Sequence, residues 1–217
     1  IKGQVDNGDL TKAKAAIHEL RKLEEEINMN YMRDDVNKLL EQSGKGLERI
    51  RKIVLDLRTF AREDNVETME LIKVEEVIDS ILSIVHNELK YKAQLIKEYG
   101  DTPLVRGNPQ RLGQVFINLL LNAVQAINDK ATIAIKTYTR DKYLCIDVVD
   151  TGKGIPPENL KKIFDPFFTT KPVGQGTGLG LSVSYEIIKK HGGKIKVYSE
   201  VGVGTTFTVI LPIVNKE

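Results

Sequence analysis

The sequence predicts an α+β protein, with a helical hairpin stem over residues 1–65 and a two-layer α/β sandwich over residues 66–217. Up to about residue 63 the apolar side chains recur at helical spacings. Beyond residue 68, helical stretches are interspersed with strands in which apolar and polar side chains alternate. The polar segment 63–68 is typical of a linker. Several strands with three long helices predict a sheet that carries helices on one face.

The composition excludes several classes of protein. With 41% hydrophobic and 29% charged residues the chain is expected to be globular rather than disordered, and a net charge of +2 gives no indication of nucleic-acid binding. The longest apolar stretch, 115–124, is broken by Asn118 and Asn122, so no membrane contact is expected. The single cysteine, Cys145, excludes an internal disulfide, fits a reducing compartment and is expected to be a buried strand thiol.

The stem is predicted from a three-four alternation of apolar positions, which is the heptad spacing of a coiled coil or antiparallel bundle. It runs through Leu40, Ser43, Leu47, Ile50, Val54, Leu57 and Ala61, after an earlier stripe of Leu10, Ala13, Ile17, Leu20 and Ile27. Asp34 or Asp35 is predicted to cap the second helix. One hairpin offers little core, which favours a homodimer whose stem is a four-helix bundle. The alternative is an arm that packs against the second domain.

The second domain contains helices and strands in mixed order. Helices are predicted over 74–89, 109–128 and 181–191, the last one ended by Gly192 and Gly193. Strands are predicted over 94–98, 131–139, 143–149, 194–199 and 205–211.

The long helix over 109–128 carries amides among apolar residues. Asn118 and Asn122 lie four residues apart and therefore share one face, which Gln114 and Gln125 extend. These amides either bond to neighbouring backbone or face a polar ligand, and amide oxygens can hold a Mg²⁺ ion that also binds phosphates.

Two glycine-containing segments are candidates for ligand binding. In 148–154 an apolar strand runs into Asp150, whose carboxylate either caps a tight turn or accepts from an amino group such as that of adenine. In 174–180 closely spaced glycines lead into a helix, where free N–H groups and the helix dipole favour phosphate. Between them, the aromatic residues of 163–171 predict a lid or a docking surface.

Four segments, in order, resemble the conserved boxes of the histidine kinase catalytic domain. They are 118–123 for the N box, 150–155 for the G1 box, 164–168 for the F box and 176–181 for the G2 box. The resemblance covers about residues 66–213, and 50–62 also resembles the end of the dimerisation stem in such kinases. The wording Asn-Ala-Val-Gln-Ala and Phe-Phe-Thr-Thr-Lys is similar to the nitrogen-regulation branch. In that branch Gln125 stands where many relatives carry a phosphate-binding lysine.

This resemblance implies a Bergerat-type fold that binds ATP and Mg²⁺. Asp150 would bind the adenine amino group between Gly152 and Gly154, with Thr206 supporting the adenine pocket, and Asn118 and Asn122 would hold Mg²⁺ and phosphates. Gly176, Gly178 and Gly180 would close a lid over the phosphates, and Phe164, Phe167 and Phe168 would dock it on the stem. The remaining nucleotide-site residues implied are Gln125, Ile155, Thr170, Lys171, Thr177, Leu179 and Leu181.

The resemblance also implies a reaction. The γ-phosphate would pass to a histidine on the dimeric stem and then to a response regulator receiver domain, in the cytoplasm. His18 begins a segment that resembles the acceptor motif but lacks its proline. The chain begins at Ile1 without a methionine, so we expect a fragment whose acceptor lies upstream of Ile1, with His18 as the alternative.

Two other functions remain open. Gyrase-like and chaperone-like ATPases share the fold but place a water-activating glutamate four residues before the second asparagine. That position is Asn118 here, which cannot take a proton at neutral pH, so phosphotransfer is favoured over hydrolysis. The second alternative is a signalling scaffold that binds ATP without catalysis.

Overall fold

The computed structural model describes residues 7–26, 29–61, 68–90, 92–127, 131–172 and 176–214. Two compact units divide the chain, Ile1–Arg51 and Lys52–Glu217. Apart from Thr68, the predicted linker 63–68 lies outside the described residues, and the predicted boundary after residue 65 stays a prediction.

The stem consists of α1 (Asn7–Glu26) and α2 (Met29–Ala61), and α2 continues from the first unit into the second. Helix α2 begins at Met29, ahead of Asp34 and Asp35, so the prediction that one of them caps it is wrong. The sequence from Met29 to Arg33 contains no glycine or proline that would interrupt a helix there. The apolar stripe of α2 is exposed in the single chain, with Leu40 65%, Leu47 68% and Ile50 59% accessible. Residue Ile27 and the side chains of Val54, Leu57 and Ala61 lie outside the described part.

The second unit contains a five-stranded sheet and a two-stranded sheet. Its elements are β1 (Glu70–Ile72), α3 (Val74–Lys90), β2 (Ala93–Tyr99), β3 (Val105–Gly107), α4 (Pro109–Ala126), β4 (Ala131–Arg140), β5 (Tyr143–Asp150), α5 (Pro157–Leu160), α6 (Gly180–Lys190), β6 (Lys194–Glu200) and β7 (Gly204–Pro212). The large sheet has the order β2-β4-β5-β7-β6, and β1 pairs with β3. The β2–β4 pair is parallel and the other pairs are antiparallel.

Helices α3, α4 and α6 cover one face of the large sheet. Successive side chains of a strand face opposite sides of the sheet. The buried side chains that alternate along β5 and β7 therefore point toward these helices. Helix α4 supplies the largest share of the helical side of the core, through Leu112, Val115, Phe116, Leu119, Leu120, Ala123 and Val124. The apolar face of α4 is therefore packed in the core, and Asn118 and Asn122 lie outside this buried set.

A buried histidine joins the beginning of α4 to the end of α6. The backbone N–H of Asn108, the N-cap of α4, donates to Nε2 of His191 over 3.0 Å. Nδ1 of the same ring lies 2.7 Å from the carbonyl oxygen of Ile187, so Nδ1 carries the proton. Since α4 and α6 carry the N-box and G2-box residues, this contact helps to set their relative position.

The predicted α+β class, with a helical stem and an α/β sandwich, is confirmed. Every predicted helix and strand of the second domain is present, with ends that differ by at most two residues. Strands β1 and β3 and helix α5 were not predicted. They are only 3, 3 and 4 residues long, too short to show a period in the sequence.

Candidate nucleotide-binding site

The side chain of Asn118 is oriented by the first turn of α6. Its Nδ2 donates to the carbonyl oxygen of Gly180 over 3.0 Å and to Oγ of Ser184 over 3.2 Å. The hydroxyl of Ser184 itself donates to Gly180 O over 2.8 Å, so its oxygen can only accept from Asn118. Both partners are acceptors, which fixes the amide nitrogen toward α6. The Oδ1 atom of Asn118 thus keeps its lone pairs for a ligand.

Asn122 and Gln125 face a cationic group from the segment between the F and G2 boxes. Nζ of Lys171 lies 3.2 Å from Oδ1 of Asn122, and it also bonds to Oε1 of Gln125. The two amides lie three residues apart on α4 and therefore share a face. The two amide oxygens therefore form a binding site for a positively charged group.

Asp150 ends β5 as a buried carboxylate, with only 5% of the residue exposed. Its Oδ1 accepts from the backbone N–H of Gly152 over 2.9 Å. Burial raises the pKa of Asp150, and the hydrogen bonds from the backbone of Gly152 and Thr205 partly offset this shift. A carboxylate in such a place is a strong acceptor for a ligand amino group, because little water competes for it.

The glycines around Asp150 allow main-chain segments to approach closely. A Cβ on Gly152 would lie 2.7 Å from the carbonyl oxygen of Ala126, at the end of α4. Gly154 has φ +73°, and a Cβ there would lie 2.2 Å from the carbonyl oxygen of Glu200. Neither position leaves room for a side chain, so the G1 segment is pressed against α4 on one side and the β6–β7 turn on the other.

The strand register places Thr205 opposite Asp150, and the role predicted for Thr206 in the adenine pocket stays a prediction. Asp150 pairs with Thr205, whereas Thr206 pairs with Val149 and shares its half-exposed sheet face. The side chain of Thr206 therefore points away from Asp150, and Thr205 lies beside the carboxylate. The alternation of apolar residues at Phe207, Val209 and Leu211 is the signal in the sequence that places Thr205 on the same face of the strand.

A serine supports the same end of the site. Oγ of Ser199 lies 2.9 Å from Oγ1 of Thr205 and accepts from the backbone N–H of Ile155 over 2.8 Å. This hydroxyl connects the G1 segment to β6 and β7. Neither Ser199 nor Ser184 was predicted from the sequence. Ser184 follows Gly180 by four residues, and this spacing places the two residues on the same face of α6.

The segment leading into α6 is folded back on the F box. Gly178 has φ +70°, and a Cβ there would lie 2.3 Å from the carbonyl carbon of Phe167, which itself has φ +68°. Phe167 is 60% exposed, while Phe164 and Phe168 are partly buried against the core. Of the other predicted residues, Thr170 is exposed, Thr177 and Leu181 are half-buried, and Leu179 is buried at the N-cap of α6.

The structure thus brings the N box together with the G1 and G2 boxes through α4. Asn118 contacts the beginning of α6, Asn122 and Gln125 contact Lys171, and the end of α4 contacts Gly152. His18 is exposed on α1, in the other unit of the chain.

Comparison with known proteins agrees with this arrangement. Residues 107–215 match the family described as histidine kinase-, DNA gyrase B- and HSP90-like ATPase. This chain belongs to that family. The domain that characterises this ATPase family binds ATP, and the Bergerat-type fold implied by the sequence is confirmed.

Several of the similar proteins are sensor histidine kinases. The sensor histidine kinase ZraS of Salmonella typhimurium is 35% identical over 185 residues, which cover 83% of this chain and 39% of ZraS. The catalytic domain of histidine kinase ThkA superposes with a TM-score of 0.60 at 33% identity, covering 66% of this chain and 95% of that domain. The mycobacterial sensor histidine kinase MprB gives a TM-score of 0.60 at 28% identity over 66% of this chain and 97% of its own. The resemblance to sensor histidine kinases is confirmed, and the nitrogen-regulation branch stays a prediction.

The chain spans 39% of the length of ZraS and 28% of the length of the histidine kinase AtoS of Escherichia coli. No helix in the described ranges is both long enough and apolar enough to cross a membrane.

Proposed function

We propose that this chain is the catalytic core of a sensor histidine kinase, which binds Mg-ATP and transfers the γ-phosphate to a histidine on a dimeric stem. The observation that carries the proposal is the pair of α4 amides, with Asn118 oriented by α6 and Asn122 already holding a cationic group. ATP binding and the histidine kinase family are established by similarity, and the reaction of the whole protein is what we propose.

Asp150 binds the adenine end of the nucleotide in this proposal. Its carboxylate accepts from the exocyclic amino group, while Thr205 and Gly152 hold the carboxylate through their backbone N–H groups. The close packing at Gly152 and Gly154 holds the main chain that follows Asp150 against α4 and the β6–β7 turn, which fixes the position of the carboxylate.

The phosphate end lies between α4 and the start of α6. The residues present fit a magnesium ion, since amide oxygens are suitable Mg²⁺ ligands and Asn122 Oδ1 already accepts from the ammonium of Lys171. Asn118 and Asn122 would hold the ion, which when bound neutralises charge on the phosphates. The N-terminal N–H groups of α6 would bind phosphate oxygens through the helix dipole.

The protein groups supply position rather than proton transfer. Phosphoryl transfer depends mainly on alignment and on charge neutralisation, both of which the fixed amides provide. Asn118 occupies the place of the glutamate that activates water in the related ATPases, and an amide cannot act as that base. A histidine nucleophile is therefore favoured over water.

The partners follow from the stem and from the family. The exposed stripe of α2 supports a homodimer through the stem, and the relatives' class supports a response regulator as the next phosphate acceptor. We place this part of the protein in the cytoplasm, with the acceptor histidine upstream of Ile1 and His18 as the alternative.

Nucleotide titration of an Asp150 variant tests the proposal. Asp150→Asn should weaken Mg-ATP binding at least about tenfold, roughly 1.4 kcal/mol, because the acceptor loses its charge and one of its lone-pair sites becomes a donor. Calorimetry on the folded variant measures this change. Asp147→Asn is the matched control, since Asp147 lies on the same strand with its side chain on the opposite sheet face. Equal affinities for the wild type and Asp150→Asn would contradict the assignment of the adenine site.

A further inference from the structure

We propose that Lys171 is a built-in cation that contacts the amide oxygen expected to hold Mg²⁺ and must leave it when Mg-nucleotide binds. This inference rests on the proposed function and adds a mode of regulation to it. Lys171 and Mg²⁺ would compete for the same amide oxygen, so the apparent affinity for magnesium is set in part by a side chain of the protein.

The contacts of the ammonium carry the inference. Nζ of Lys171 lies 3.2 Å from Oδ1 of Asn122, the oxygen expected to hold the metal, and it bonds to Oε1 of Gln125 as well. Lys171 lies 46 residues after Gln125 in the sequence. The contact therefore joins the segment after the F box to the middle of the site rather than tying together neighbours in sequence.

The backbone around Lys171 holds the side chain in this place. The N–H of Lys171 donates to Oγ1 of Thr169 over 3.2 Å, which fixes the direction in which the side chain leaves the main chain. Gly176 packs on the aliphatic part, since a Cβ there would lie 3.1 Å from Cδ of Lys171 and 2.6 Å from Oγ1 of Thr169. A glycine at 176 thus makes room for the lysine stem.

Charge makes the two occupants exclusive. An ammonium and a divalent cation on the same amide oxygen repel each other at a distance of a few ångström, and a partly buried site screens this repulsion poorly. Asn118 keeps its orientation through α6, so the conflict is concentrated at Asn122. When the metal binds, the flexible four-carbon stem of Lys171 allows the ammonium to turn from the amides toward the phosphates.

The simpler alternative is that Lys171 only contacts phosphate. In that case removal of its charge weakens nucleotide binding by the same factor at every magnesium concentration. The exchange that we propose predicts a different result, because removal of the competitor lowers the magnesium concentration needed for half-maximal nucleotide binding.

The deciding experiment compares wild type, Lys171→Met and Lys162→Met. Binding of a fluorescent ATP analogue is measured while Mg²⁺ is titrated from zero to saturation. We expect the magnesium midpoint of Lys171→Met to fall at least threefold, even if its maximal affinity for the analogue also falls. Lys162 is exposed on the same stretch of chain, so Lys162→Met should keep the wild-type midpoint. An unchanged or higher midpoint in Lys171→Met would overturn the exchange.

A second readout requires no nucleotide. Chymotrypsin cleaves after aromatic residues, and Phe167 is exposed four residues before Lys171. Without nucleotide, cleavage at Phe167 should be several-fold faster in Lys171→Met than in wild type and in Lys162→Met, because the contact to α4 is lost. This measurement alone decides the case if Lys171→Met binds the analogue too weakly to titrate, and equal cleavage rates would then overturn the exchange.

The outcomes separate this inference from the proposed function. A wild-type protein that binds no nucleotide at any magnesium concentration would overturn both. Magnesium-dependent binding by the wild type with no shift in Lys171→Met would overturn the exchange and leave the proposed function intact.

Discussion

At the scale of single residues, Asp150 shows a conflict between folding and binding. Burial makes its ionised form costly and raises the pKa of Asp150, while the proposed contact with adenine needs the charged carboxylate. Two backbone N–H groups reduce the cost without removing it. Sites that bind ligands commonly retain such strained groups, and variants that relieve the strain gain stability and lose function.

This conflict predicts a pH-dependent difference in stability. Because the folded-state pKa of Asp150 is raised, its stabilising contribution is fully present below the unfolded value of 3.8 and is lost as the pH rises through the folded value. Asp150→Asn should therefore be more stable than wild type at pH 7 by about 0.5–2 kcal/mol, a difference that shrinks toward zero below the ordinary aspartate pKa. Urea unfolding of both proteins across this pH range measures it. A variant less stable than wild type at pH 7 would show that its hydrogen bonds outweigh the burial of charge.

At the scale of secondary-structure elements, α4 and α2 differ in whether their apolar face is buried within the chain. Helix α4 buries its apolar side within the second unit, so its amides are left for the site and for contacts with α6. Helix α2 leaves its stripe exposed in the single chain, with Leu47 68% and Ile50 59% accessible. A long apolar stripe in water is costly, and a second copy of the stem can cover it.

Dimerisation through the stem is tested by a charge in the stripe. Leu47→Asp should convert the dimer to monomer at high micromolar concentration, because a carboxylate would be buried without a partner in the seam. Multi-angle light scattering gives the mass. Gln42→Asp introduces the same charge five residues away, off the stripe, and should leave the dimer intact. A wild-type monomer with a helical stem would contradict the dimer.

At the scale of the whole molecule, the two units divide the proposed reaction. The second unit contains the proposed nucleotide site, and the stem begins in the first unit, where His18 lies. Asn118 cannot activate water as a glutamate at its position could, so the proposed site is suited to deliver phosphate to a nucleophile that comes from elsewhere.

The balance between transfer and hydrolysis is therefore measurable on this chain. It should bind ATP and hydrolyse it very slowly, and it should form no stable phosphohistidine at His18. Phosphate release and acid-labile label from γ-labelled ATP are the two measurements. In a longer chain with the acceptor hairpin, label should form on the upstream histidine and be lost in Asn122→Asp. Rapid ATP turnover would favour the ATPase alternative, and label at His18 would change only the choice of acceptor.

The sequence alone determined the class of fold, the helices and longer strands, and the four boxes. These features depend on local spacing: α4 needs an apolar face at the helical period, and β5 and β7 need alternation, both of which can be read along the chain. The capping aspartate of α2 was misplaced because propensity alone does not locate the end of a helix that lacks a strong breaker.

Only the tertiary structure decided which polar atoms meet. The register of β5 with β7 brought Thr205 rather than Thr206 beside Asp150, since a shift of one residue exchanges the two faces of a strand. Because α6 packs beside α4, Ser184 accepts a hydrogen bond from Asn118 and orients its amide. The path of the segment after the F box placed Lys171 on Asn122. Contacts between residues far apart in sequence depend on packing and on chain direction, which leave no periodic pattern in the sequence, so the positions of these groups could be obtained only from the fold.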